Sequence, residues 1–268
     1  MKKSIFCMMA AMAYPLMASD LPTVDIFDDE TDTPEHQTPN VPKEDDVDDI
    51  PNWVNELSNL PAAQRQQYMN QFAAAKWAYS KGSLDMCQRC LDICEGIYAK
   101  NPNVWNLRAA AHLAQQNFDA AEAWLKKVHT VVPDDAVASL NYSLLYLGRS
   151  EFEKCISMCD SLLYEIEYKE NMEGLSHALL FRKLVCLVML DRMDEARAIV
   201  KDITPLTFTP LYYYSQSIFA VVEKDRAKAL KEMSTADRIY SKDPYLQTYK
   251  QAIQFSNILK TAAETFTK

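Results

Sequence analysis

The sequence predicts an all-α fold, a stack of about five helical hairpins, on three observations. Residues 34 apart keep the same character: Leu84, Phe118 and Phe152 form one column, Cys87, Ala121 and Cys155 a second, Leu91, Leu125 and Cys159 a third, Cys94, Val128 and Leu162 a fourth. The chain holds only four glycines, and its prolines fall in the leader, an acidic segment, turns and expected helix starts, which is the punctuation of helices. Between those marks apolar residues recur at helical spacing, as Tyr68, Phe72, Ala75 and Tyr79 do. A hairpin of this size cannot bury its own apolar stripe and becomes stable by stacking on its neighbours.

Residues 1–19 read as a secretory signal peptide, with Lys2 and Lys3, an apolar run over 5–13, the breaker Pro15 and a cleavage site near Ala18 or Ser19. That start implies a periplasmic or secreted protein. Residues 20–50 carry twelve acidic side chains against the single Lys43, too little apolar surface to offset the entropy of ordering, and read as a disordered acidic linker. The alternative reading is an acidic motif offered to a basic partner. The remainder, 51–268, forms one folded domain with 25 acidic and 25 basic groups. Its formal neutrality argues against a nucleic-acid footprint or a basic membrane patch.

Asn52 after Pro51 caps a short helix over 52–59 that carries Trp53, Val54 and Leu57. The first pair, about 62–101, runs through a helix to Ser80, a stop at Gly82 and a second helix from Leu84. Asn101-Pro102 joins a cap residue to a first-turn proline and opens the second pair, 102–133. The third, 134–169, keeps Tyr146, Phe152 and Leu162 but places Ser139 and Ser143 in its first helix. An insertion near 170–174 precedes the fourth, 174–208, where Met193, Ala196, Val200 and Ile203 repeat the column 41 residues on. Thr209-Pro210 starts the fifth, 209–243, with Ala229, Met233 and Ala236 in register. After Asp243-Pro244 a last helix over 244–266 has no partner and is expected to cap the open end of the stack.

In the second pair Trp105, Ala109, Phe118, Ala121 and Pro133 stand at the offsets favoured by tetratricopeptide repeats (TPR), and the chain resembles that family over about 62–266. The resemblance implies a right-handed TPR solenoid whose first helices line a concave inner face. Carried onto this sequence, the inner stripe comprises Met69, Phe72, Lys76 and Tyr79, then Asn103, Asn106, Ala110 and Leu113, then Val137, Leu140, Leu144 and Leu147. The fourth hairpin adds Ala178, Phe181, Val185 and Val188, and the fifth Leu211, Tyr214, Ile218 and Val221.

Exposed contiguous apolar surface of this kind marks an interaction site. The expectation is an adaptor that holds an apolar or amphipathic segment of another protein in this groove, anchored on aromatic side chains. Relatives that grip a charged carboxyl-terminal tail use a Lys, Arg and Asn clamp, of which only Lys76, Asn103 and Asn106 are candidates here. The alternative is a self-associating structural scaffold whose inner face is filled by the Trp53 helix, by the final helix or by a second copy.

Cys87, Cys94, Cys155 and Cys159 fall on columns filled elsewhere by Ala, Leu or Val and read as small buried apolar groups, so no metal site is expected. Export would allow a disulfide, and the candidate joins Cys159 or Cys155 to Cys186. No catalytic residue or cofactor site is expected. His36, His112, His129 and His177 stand outside any nucleophile pattern, and there is no Gly-rich phosphate loop, HExxH or CxxCH. No stretch after the leader is apolar enough over 18 residues to span a bilayer.

Overall fold

A computed structural model describes residues 51–259; the expected signal peptide, the acidic linker and the end of the final helix lie outside the described residues. Among them the chain is all-helical, with twelve α-helices and one 3-10 turn. These are α1 (Asn52–Ser58), α2 (Ala62–Ser80), α3 (Leu84–Ile97), α4 (Pro102–Ala114), α5 (Phe118–Val131), α6 (Ala136–Gly148) and α7 (Phe152–Ile166). There follow α8 (Glu173–Met189), α9 (Met193–Ile199), the 3-10 turn (Pro205–Thr207), α10 (Pro210–Val222), α11 (Arg226–Ile239) and α12 (Leu246–Ser256). Successive helices pack as hairpins, α2 with α3, α4 with α5, α6 with α7, α8 with α9 and α10 with α11. The insertion lengthens α8 to 17 residues and leaves α9 only seven.

Local chemistry sets the helix starts. The Asn101 side chain accepts from the amide of Asn103 at 2.8 Å with Pro102 first in the helix, Asp135 accepts from Ala138 at 2.7 Å, and Thr209 accepts from Leu211 at 3.2 Å ahead of Pro210. Each cap satisfies an amide that has no partner within the helix.

The turn inside every hairpin has one geometry. Gly82, Gln116, Ser150, Asp191 and Lys224 each adopt a positive φ, between 59° and 71°. The amide after each reaches back five residues, as Ser83 to Ala78, Asn117 to His112, Glu151 to Tyr146, Arg192 to Leu187 and Asp225 to Ala220. This left-handed termination with a six-to-one bond closes the carbonyls that the helix end leaves open. Only Gly82 of the five takes that conformation without a Cβ penalty.

Two apolar cores result. One joins α2 and α3 to the near side of α4, and the other runs from α4 through α12, with Trp105 touching both. Arg108 bridges the seam between them. Its guanidinium is buried and meets Asp92 at 2.8 Å and Glu95 at 2.7 Å on α3, and it lies 5.0 Å over the Trp124 ring.

The place of the last helix departs from expectation. Instead of capping the end of the stack on α11, α12 packs on α8 and α6. Its buried residues, Leu246, Thr248, Tyr249, Ala252, Ile253, Phe255 and Ser256, wrap about half its circumference. A helix covering one open end would bury a stripe of about 100°.

Candidate functional site

The inner stripe is buried. Phe72, Asn106, Leu113, Val137, Leu140, Leu144, Leu147, Phe181, Val185, Tyr214, Ile218 and Val221 are all closed off from solvent, and Lys76, Tyr79 and Val188 are half-buried. Of the candidate groove residues only Met69 is well exposed, at 53 %. The expected open channel for a partner segment is therefore corrected: from the third hairpin to the fifth the chain fills it with its own α12.

Aromatic contacts seat that helix. Tyr249 lies 5.0 Å from the Phe181 ring and stacks at 5.1 Å on Tyr214, while Phe181 and Tyr214 meet at 5.7 Å, so three rings from α8, α10 and α12 form one cluster. Toward the other end, Phe255 meets Phe118 edge-on at 6.1 Å. Such pairs add to the area they bury. Polar groups fix the register at the margin: Lys250 pairs with Asp237 at 2.9 Å, and the Tyr214 hydroxyl donates to the same carboxylate at 2.7 Å, while Gln251 neighbours Tyr79. Burial and then Asp237 hold the Tyr214 hydroxyl well above its ordinary value, and burial pushes Tyr79 up to about 12 against the opposing effect of Gln251. Gly174 lets the helix start close on α8, since a Cβ there would stand 2.5 Å from the Tyr245 ring.

Other candidate residues have structural employment. Asn106 donates to Asp135 at 3.0 Å, tying α4 to the cap of α6. Burial raises the Asp135 carboxyl, with the bonds from Ala138 and Asn106 opposing. Lys76 sits 5.3 Å over the Phe72 ring, and burial lowers its pKa.

The candidate Cys159–Cys186 disulfide is also corrected. All six described cysteines are free and buried, and Cys155 has both Cys159 and Cys186 as neighbours. The thiols pack as small apolar groups between helices, and burial pushes Cys87 and Cys94 up to about 12, which suppresses the thiolate needed for exchange.

Two buried guanidiniums escaped the sequence reading. The Arg108 partners Gln88, Asp92 and Glu95 are spaced by four and three on α3, a one-faced polar stripe opposite a helix with one arginine, and that was a legible signal. Arg182 gave less warning. It donates to the Leu140 carbonyl at 3.2 Å and to the Ser143 hydroxyl, which accounts for a serine where the repeat pattern wants an apolar residue. None of the described helices is long and apolar enough to cross a membrane. The chain matches no protein-family model and no curated protein.

Proposed function

We propose that the chain is an exported, non-enzymatic scaffold of the tetratricopeptide type: a right-handed solenoid of five repeats that closes on its own final helix and meets other proteins through its outer surfaces. The seating of α12 on α6 and α8 carries this reading, because a groove already occupied is not free for a guest. The five equivalent left-handed turns, spaced by 34, 34, 41 and 33 residues, support the repeat assignment independently of side-chain identity. The leader-like start supports export.

Dye binding and peptide competition on the full chain test the proposal. Wild type should bind an apolar dye weakly and ignore an added peptide of residues 245–259, whereas Tyr249→Asp should bind both. Tight binding of that peptide by wild type would restore the open-groove adaptor. Light scattering then separates a monomer from a self-associating subunit.

A further inference from the structure

Four of the large apolar side chains stand at least three-quarters exposed, Tyr164 at 77 %, Tyr168 at 85 %, Leu206 at 79 % and Phe208 at 80 %. Tyr164 and Phe208 flank the first turn of α8, and Tyr168 and Leu206 lie on the same two segments of chain. Tyr164 borders a cleft of about 600 Å³ and Phe208 a second of about 260 Å³, and Glu173 lines both. These side chains thus belong to one edge of the stack, where the second cleft is also lined by Tyr245 and by Tyr249 of α12.

The loop that carries two of them is built to hold its shape. Leu206 donates its amide to Thr204 Oγ1 at 3.2 Å, Thr204 donates back to Thr207 Oγ1 at 3.0 Å, and Pro205 and Pro210 restrict the flanks. Within it Phe208 adopts φ 51° and ψ 44°, a left-handed conformation in which a bulky residue is an outlier. Strain of that kind persists where the surroundings over-determine it and concentrates at ligand-binding positions. Here the strained residue is an aromatic ring pointed at water, while neighbouring Thr209 and Pro210 are buried. A rigid turn presenting exposed apolar side chains loses little entropy when a partner covers it.

Charge selects the partner. Glu167 and Glu173 line the clefts and, with Glu165, Glu170 and Asp202 on the same two segments of chain, are exposed, none in an ion pair with a described residue; Lys169 and Lys201 are the basic side chains on those segments. An anionic lipid surface or a second copy of the same edge would be repelled. We propose that this edge is a docking site for a segment of another protein in which Lys or Arg alternate with apolar side chains, the apolar groups covering Phe208, Leu206 and the two tyrosines. The inference rests on the reading that partners meet the outside of the stack and not on the identity of its repeats.

Fluorescence anisotropy of two labelled twelve-residue probes, one alternating Lys with Leu and Phe and one alternating Glu with the same residues, tests it on the full chain. The basic probe should bind and weaken with salt, and should lose at least about tenfold in affinity both with Leu206→Ser/Phe208→Ser and with Glu167→Gln/Glu170→Gln/Glu173→Gln. Met86→Ser/Ile93→Ser, which removes exposed apolar groups from α3, should change nothing. Phe208→Gly separates recognition from folding: it should weaken binding while the melting temperature holds or rises, since glycine relieves the left-handed strain. Equal affinity in all variants, equal binding of the acidic probe, or Phe208-dependent binding to phosphatidylglycerol vesicles would overturn the proposal; the seating of α12 is read separately, by whether wild type takes up the 245–259 peptide.

Discussion

Removing the Tyr249 ring is the sharpest perturbation of the inner face. Tyr249 is 1 % exposed and touches Phe181 and Tyr214 at 5.0 and 5.1 Å. Truncating a buried aromatic residue to Ala costs about 3–5 kcal/mol, within which two ring pairs account for about 0.5–1.5 kcal/mol each. For a domain of this size each kcal/mol shifts the melting temperature by about 2–4 °C, so Tyr249→Ala should lower it by roughly 10 °C. The loss should also be local. Residues 244–259 should exchange their amide hydrogens faster than α2 to α5, because Leu246, Ile253 and Phe255 still anchor the helix but its central wedge is gone. Calorimetry with hydrogen-exchange mass spectrometry reads both quantities. A shift under about 1 °C, the range of a surface substitution, together with unchanged exchange in this segment would refute the placement of α12.

Three further outcomes follow from the same geometry. Lys224→Gly, at φ 63° in a hairpin turn, should stabilise the fold by about 0.5–1 kcal/mol in urea titration, as left-handed strain outweighs the added freedom of the unfolded chain. Arg108→Met should cost about 1–2 kcal/mol by stranding the half-buried Glu95, whereas Arg182→Met, whose charge faces no carboxylate in the bonds it makes, should be neutral to within about 1 kcal/mol. Burial, joined at His112 by Arg108, lowers both His112 and His177 below their ordinary 6.5, with Glu173 and Asp243 opposing at His177. A depressed histidine stabilises the fold above the ordinary value and loses that contribution as pH falls through the folded one, so the melting temperature should fall from about pH 7.5 to about 5.5, less steeply in His112→Gln/His177→Gln.

Much of the helical pattern was legible because it is written in local chemistry. Asn101-Pro102 and Thr209-Pro210 start α4 and α10, Gly82 ends the first long helix, and the Phe118 and Phe152 columns open α5 and α7. Asp135 caps α6 without a proline to announce it. The turns at Gln116, Ser150, Asp191 and Lys224 were hidden, since nothing in those side chains asks for a left-handed backbone. The candidate site was legible as a set of inward residues and misread as open. An apolar stripe states that it will be covered, not by what, and a final amphipathic helix fits the end of a stack as well as its inner face. The clue lay in α12 itself: Leu246 and Phe255 stand on opposite sides of the helix and both are buried, so its apolar arc was too wide for a one-sided cap.

Nuclear Overhauser contacts between the rings of Tyr249 and those of Phe181 and Tyr214 most directly test whether the chain fills its own inner face. In the full protein at monomeric concentration the account predicts these contacts within single molecules. Their absence would contradict it, as would contacts only between chains in an isotope-mixed sample.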